Sequence, residues 1–215
     1  MKARSKALLL ALCAVLLVAA LVLGTMAYLT SQAEVTNTFS VGQVKITMDE
    51  AKVDKYGVAL TGTEAGRGNA NEYILMPGHT YIKDPTVHVD KVSEDSYIFV
   101  KVENGISALE AAAVEGGYKT IADQIKANGW EALAGVDNVY YREYTKDTTK
   151  DSDLNVFESF KIADEANKTD GWNNVTPAET KVTVTAYAVQ KDGFDSASAA
   201  WSATFGKTAT NGEGN

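Results

Sequence analysis

Apolar and polar residues alternate along several short stretches of the chain, which is the pattern of a half-buried β-strand. The clearest stretch is 181–190, in which alternate residues form two faces: Val182, Val184, Ala186 and Ala188 on one, and Thr183, Thr185, Tyr187 and Val189 on the other. Shorter alternating stretches lie at residues 39–48, 87–89, 97–102, 139–144 and 155–162. About six to eight such strands separated by turn residues predict a mainly β fold, a jelly-roll-like antiparallel β-sandwich.

Residues 105–129 interrupt this alternation and predict a short helical insertion. The Ala-rich segment 106–117 favours a helix that would end at its two glycines. Thr120 and Asp123 then have the spacing of a capping box at the start of a second helical turn. A short helix is also predicted at 196–203. Residues 39–206 thus form a single predicted domain, followed by a flexible tail at 207–215.

The amino terminus has the pattern of an export signal. A basic start is followed by residues 7–29, which carry no charge. Small residues at Thr25 and Ala27 predict cleavage between Ala27 and Tyr28. The run is also long enough to span a bilayer, so a retained anchor is the alternative. Either outcome places the rest of the chain outside the cytoplasm, secreted or at the cell surface.

Within residues 39–48, which begin the predicted domain, the apolar residues move from odd-numbered to even-numbered positions. Phe39 and Val41 occupy odd positions, whereas Ile46 and Met48 occupy even ones. One strand cannot keep both sets on one face without an extra residue. We therefore predict a bulge or hinge at Gly42 and Gln43, after a mobile amino-terminal segment at residues 28–38.

Charge and cysteine content exclude several kinds of chemistry. The formal net charge is −8, which argues against binding to nucleic acid. The only cysteine is Cys13, within the predicted signal. The mature chain would therefore have no disulfide, no thiolate nucleophile and no cysteine ligand for a metal.

No catalytic motif is present, and the chain is predicted not to be an enzyme. The two histidines, His79 and His88, lack the H-E-x-x-H spacing of zinc proteases and are predicted to lie at the surface. No metal site and no cofactor are predicted. Calcium binding stays open on composition alone, although charged turns are usually just solvated; the candidate acidic pairs are Asp49 with Glu50, Glu94 with Asp95, and Asp151 with Asp153. The tryptophans are predicted to be core or loop anchors rather than a sugar platform: Trp130, Trp172 and Trp201.

The segment "AYLTSQAEVTNTFSVGQVKITMDE" at residues 27–50 resembles the amino-terminal signature of the TasA/camelysin family of Gram-positive bacteria. The signature consists of Tyr-Leu-Thr directly after the predicted cleavage site, then Asn-Thr-Phe-Ser-Val-Gly, and then a strand of alternating apolar and polar residues. Further similarity to clostridial members lies in "PGHTYIKDPTVHV" (77–89), "YIFVKVE" (97–103) and "VTAYAVQKDGFDSASAAW" (184–201).

This resemblance implies a secreted jelly-roll protein of the biofilm matrix, released by a signal peptidase of the SipW type, that polymerises into fibres with copies of itself. Other matrix proteins or the cell wall are further possible partners. In such fibres one subunit donates its amino-terminal strand to a neighbour, filling an exposed sheet edge. The candidate donor residues here are Tyr28, Leu29, Thr30, Val35, Thr36, Asn37 and Thr38. A cell-surface metalloprotease of the camelysin type and a monomeric surface adhesin are the alternatives.

Overall fold

The computed structural model describes residue 13, the backbone of residues 30–36, and residues 44–166 and 180–206. The strands in this part of the chain are β1 (Thr30–Thr36), β2 (Ile46–Ala51), β3 (Arg67–Gly68), β4 (Ala70–Ile74), β5 (Thr80–Ile82), β6 (Thr86–Val89), β7 (Ser96–Asn104), β8 (Glu131–Ala132), β9 (Val139–Tyr144), β10 (Ser152–Asn155), β11 (Ser159–Lys161) and β12 (Val182–Gln190). The α-helices are α1 (Ile121–Ala127) and α2 (Ala197–Thr204), and a 3₁₀ turn covers Gly62–Glu64.

The strands form two main sheets and one small one. The larger sheet has the order β4-β1-β12-β7-β9-β8, the second sheet has the order β10-β6-β2-β3, and β11 pairs with β5. The pairings are antiparallel except for that of β1 with β12, which is parallel. The prediction of a mainly β, jelly-roll-like antiparallel sandwich with a short helical insertion is confirmed.

The alternation predicted for β12 is confirmed, and it separates two apolar clusters. Val184 and Ala186 pack into the main core together with Ile46 and Met48 of the second sheet. Tyr187 faces the other way, into a second cluster built around Trp201 of α2. The larger sheet is therefore covered on both faces, by the second sheet on one side and by the carboxyl-terminal helix on the other.

The helical insertion is confirmed only in its second half. Thr120 caps α1, because its side-chain oxygen accepts a hydrogen bond from the Asp123 N–H at 3.2 Å. Residues 106–117, for which the Ala-rich composition predicts a helix, instead form turns and an isolated bridge between Glu110 and Ile162. The backbone there bonds across to another part of the chain, which removes the i→i−4 pattern that a helix needs.

The predicted strand at 155–162 is not continuous: it contains only the last residue of β10 and the whole of β11, which lie in different sheets. β10 pairs with β6, whereas β11 pairs with β5. Between them the consecutive residues Val156 and Phe157 are both fully buried, which a continuous strand with one face on the core does not allow. The helix predicted at 196–203 is confirmed as α2, whose N-cap is Ser196.

Candidate functional site

The central part of the predicted donor segment is strand β1, and it lies between two other strands of the larger sheet. On one side it pairs antiparallel with β4, from Thr30 opposite Ile74 to Glu34 opposite Ala70. On the other side it runs parallel to β12, with Val35 opposite Val184. In this arrangement β1 joins β4 to the rest of the sheet.

The remaining predicted positions of this segment lie outside the described residues. They are the cleavage pair Ala27 and Tyr28, the donor positions Leu29, Asn37 and Thr38, and the hinge residues Gly42 and Gln43. The strands on either side of the predicted hinge belong to different sheets, β1 to the larger and β2 to the second. The chain therefore changes sheet between Thr36 and Ile46.

His88 is held between two carboxylates on the outer face of the second sheet. Its Nδ1 lies 2.7 Å from Asp153 Oδ1 and its Nε2 lies 2.9 Å from Asp49 Oδ1, so it connects β6 to both neighbouring strands. Partial burial lowers the pKa of His88, but the two carboxylates outweigh that effect and raise it above the ordinary value. His79 lies elsewhere, with its Nε2 2.9 Å from the carbonyl oxygen of Tyr56.

The acidic pairs considered for calcium already have protein partners. Asp151 accepts a hydrogen bond from the Lys91 N–H at 2.9 Å. Glu94 forms an ion pair with Lys146, and Asp95 accepts from the backbone N–H of the same lysine. Within residues 44–166 and 180–206, no group of three or more His, Cys, Asp or Glu side chains is arranged to hold a metal ion.

Arg67 connects β2 to the short segment between β5 and β6. Its guanidinium bonds to the Asp49 carboxylate, and its Nη1 lies 2.7 Å from Asp84 Oδ2. Asp84 in turn accepts a hydrogen bond from the Ala51 N–H at 2.6 Å. The residues next to Asp49 and Asp84 in the chain, Glu50 and Lys83, point into the sandwich instead.

Glu50 and Lys83 form an ion pair that is fully excluded from solvent. Both side chains are 0% exposed, and Lys83 Nζ lies 2.6 Å from Glu50 Oε2. The other carboxylate oxygen, Oε1, accepts a hydrogen bond from Asn71 Nδ2 at 2.9 Å. We refer to Glu50, Asn71 and Lys83 as the buried triad.

Backbone groups fix the orientation of the Asn71 amide in the buried triad. Its Oδ1 accepts from the Val53 N–H at 3.0 Å, and its Nδ2 also donates to the Ala51 carbonyl at 2.8 Å. A backbone donor and a backbone acceptor together leave a single orientation that satisfies both.

Three aromatic rings pack against one another in the main core, and one of them, Tyr73, interacts with Glu50 and Asn71. Tyr81 stacks on Phe160 with ring centroids 4.9 Å apart, and Tyr73 meets both rings edge-on. Burial raises the pKa of Tyr73, and the Glu50 carboxylate raises it further. Trp130 and Trp201 are buried as well, as predicted, and Trp172 lies outside the described residues.

The sequence analysis did not single out the buried triad, although the alternation contains a signal for it. Glu50 lies two positions after Met48 and four after Ile46, so it belongs to the buried face of the same strand; Lys83 lies two positions after the buried Tyr81. An acidic and a basic residue at inward positions of two strands predict a buried ion pair if the strands lie close together.

In the part of the chain that the structure describes, no helix is long and apolar enough to cross a membrane. Comparison of the chain with protein-family models, with curated proteins and with solved structures gives no match in any of the three.

Proposed function

We propose that this chain is a secreted structural protein of an extracellular or biofilm matrix. It polymerises into fibres by donating its amino-terminal strand to a neighbouring subunit. The observation that carries the proposal is the position of β1, which comes first among the described strands and yet lies inside the larger sheet between β4 and β12. The export signal and the family resemblance of residues 27–50 supply the location and the kind of assembly.

Withdrawal of β1 would open the sheet on both of its sides. β4 would be left with a row of unpaired N–H and C=O groups, and β12 would lose its pairing at Val184 and Thr185, on either side of a gap one strand wide. Such a gap is filled by an extended segment that follows the same register. The same residues of a second copy meet this requirement and restore every hydrogen bond.

The geometry of exchange favours a fibre over a closed pair. A subunit that gives its strand to one neighbour and receives a strand from another uses two different surfaces. Head-to-tail contacts of this kind continue without limit unless the rotation between subunits closes a ring. Cleavage after Ala27 would give the donor segment a free end, so that it can leave one sheet and enter another.

The proposal is tested with the mature chain beginning at Tyr28 and a matched chain that lacks residues 28–38. We expect the first to form filaments that electron microscopy and light scattering detect at raised concentration or altered pH. The shortened chain should form none alone, and should bind a peptide of residues 28–38. Equal filament formation by both chains, or by neither under any condition, would rule out strand donation.

A further inference from the structure

The buried triad has an arrangement that exceeds what a stabilising ion pair needs. Removing both charges from water is costly, and apolar residues of similar size commonly serve as well. Here the pair is joined by a carboxamide, so that an amine, a carboxylate and an amide meet in one closed site. The side chains of Lys83 and Glu50 are 0% exposed, and Asn71 is 8% exposed.

The two oxygens of Glu50 contact the two nitrogens that would exchange in an amide transfer. Oε2 accepts from Lys83 Nζ at 2.6 Å, and Oε1 accepts from Asn71 Nδ2 at 2.9 Å. A carboxyl group in this position can take a proton from one nitrogen and deliver a proton to the other. The backbone N–H of Val53, 3.0 Å from Asn71 Oδ1, is placed to stabilise the charge that develops on that oxygen.

We propose that Lys83 and Asn71 react to form an intramolecular amide cross-link, with Glu50 as the proton carrier. Lys83 Nζ first gives one proton to the Glu50 carboxylate; the neutral amine then attacks Asn71 Cγ, so a Cγ–Nζ bond forms and the Cγ–Nδ2 bond breaks. The Glu50 carboxyl group protonates Nδ2, which leaves as ammonia, and takes up the second proton that Nζ loses, so that it ends as a carboxylic acid. An amine and a carboxamide thus give a substituted amide and ammonia, and no oxidant, reductant or cofactor is consumed.

Burial favours this reaction in three ways: it favours a neutral amine, it excludes water, and it makes the neutral product favourable relative to the ion pair. Burial lowers the pKa of Lys83 against the opposing effect of Glu50, which raises the fraction of the nucleophilic neutral amine. The Lys83 and Glu50 side chains are 0% exposed, so the site excludes water that would compete as a nucleophile. The product replaces a buried ion pair with a neutral amide and a neutral carboxylic acid, which removes the desolvation penalty of two charges.

The cross-link would give the exported domain a covalent tie that it otherwise lacks. The only cysteine of the chain is Cys13, so no disulfide can form within one chain. The bond closes a ring from β4 to the residue after β5 and fixes both against β2 through Glu50. It requires only that the sandwich folds, and does not depend on fibre formation.

Peptide mapping of the folded, purified full chain tests the proposal, because both reacting residues lie in one tryptic peptide. Trypsin cuts after Arg67, Lys83 and Lys91, so an unmodified chain yields the peptide 68–83 at its calculated mass. The cross-linked chain resists cleavage after Lys83. It yields the peptide 68–91 lighter by one ammonia, with no backbone fragment ions from within the ring 71–83.

Three results would overturn the cross-link. One is recovery of the unmodified peptide 68–83 from the digested chain. Another is loss of ammonia with normal cleavage after Lys83, which indicates a succinimide at Asn71. The third is loss of water with a link between Lys83 and the peptide 46–52, which places the bond on Glu50 instead.

Two variants identify the roles of the side chains. Asn71→Ala removes the electrophile and should restore complete cleavage after Lys83. Glu50→Gln keeps the size of the side chain but not the proton carrier, so we expect the cross-link to disappear while the circular dichroism stays that of a β-protein. A Glu50→Gln chain that cross-links fully would contradict the role of Glu50. If this variant does not fold, the map of the unaltered chain still decides whether the bond exists.

Discussion

Two ion pairs of this protein join the same chemical groups in opposite environments. Lys83 and Glu50 are fully buried, whereas the Lys101 and Glu103 side chains are 40% and 54% exposed at a similar nitrogen–oxygen distance of 2.7 Å. Water screens the exposed pair, and its charges are solvated whether or not they meet. A buried charge that loses its partner has no such alternative.

Substitution of these lysines should therefore have very different effects on stability. We expect Lys83→Met to lower the free energy of unfolding by about 3–5 kcal/mol, because Glu50 is left buried without its cation and the proposed cross-link to Asn71 cannot form. The matched change Lys101→Met should lower it by less than about 1 kcal/mol. Urea unfolding of both variants measures the difference, and similar small losses would contradict the burial of the triad.

His88 should make the stability of the second sheet depend on pH. The pKa of His88 is raised in the folded chain, since the Asp49 and Asp153 carboxylates outweigh the effect of partial burial. The stabilisation is then fully present below the unfolded pKa of about 6.5 and is lost as the pH rises through the higher folded pKa. We expect the loss to be about 1 kcal/mol or less, because the groups are partly exposed.

Thermal unfolding at closely spaced pH values measures this effect against a His88→Gln control. The melting temperature of the unaltered chain should fall relative to the control as the pH rises through that interval. Parallel curves for the two proteins would show that the imidazolium does not contribute.

The inward positions of the buried triad could be predicted from the sequence, but their meeting could not. The phase of β2 places Glu50 with Ile46 and Met48, which is a local property of the chain. Lys83 follows Glu50 by 33 positions, and their contact depends on how two strands come together in space. The alternation of apolar and polar residues within one strand does not show which distant strand it will lie beside.

At the scale of elements, α2 closes the outer face of the larger sheet. Trp201 packs on Phe99 of β7 and Tyr187 of β12, with ring centroids 5.1 and 5.3 Å away. The helix begins at a capped residue, as the Ser196 side chain accepts from the Ala199 N–H. The apolar outer face of the two central strands is covered because this helix docks on it.

Truncation of the tryptophan should expose this outer face. We expect Trp201→Ala to cost about 3–5 kcal/mol, as for other large aromatic side chains removed from a core. Ser202→Ala, on the exposed side of the same helix, should change stability by less than about 0.5 kcal/mol. Denaturant unfolding compares the two, and a small effect of Trp201→Ala would contradict the docking of α2.

Strands with a long alternation could be predicted well, and segments with mixed signals could not. β12 has the expected position because its buried residues Val182, Val184, Ala186 and Ala188 recur at every second position. Residues 106–117 have a helical composition, but hydrogen bonds such as that from the Ala111 N–H to the Lys161 carbonyl determine their conformation. Tertiary pairing of this kind overrides a weak local propensity.

At the scale of the whole molecule, β1 is the element whose exchange would link one subunit to the next. The sequence predicts a donor segment at 28–38 from family resemblance, and β1 occupies Thr30–Thr36 of it. The slot between β4 and β12 could not be predicted, because strand order is not visible in a single alternating pattern. The direction of the β1–β12 pair, parallel in a largely antiparallel sheet, is likewise a property of the assembled fold.

Strand exchange can be tested directly with a cysteine pair across β1 and β4. Gln32 and Glu72 are register partners in this antiparallel pair. Opposed residues have Cα atoms about 4.5–5.5 Å apart, within the range of about 4.4–6.8 Å that a disulfide spans. The mature chain beginning at Tyr28 contains no other cysteine, so Gln32→Cys with Glu72→Cys gives one defined bond.

The decisive measurement is non-reducing electrophoresis of this double variant, oxidised either before or after assembly. We predict that oxidation before assembly locks β1 in its own sheet, prevents filaments and yields monomers, and that reduction restores assembly. Oxidation after assembly should yield a ladder of covalent multimers, whereas the single variant Gln32→Cys should yield none beyond a dimer. Filaments whose subunits run only as internally bonded monomers would contradict strand donation.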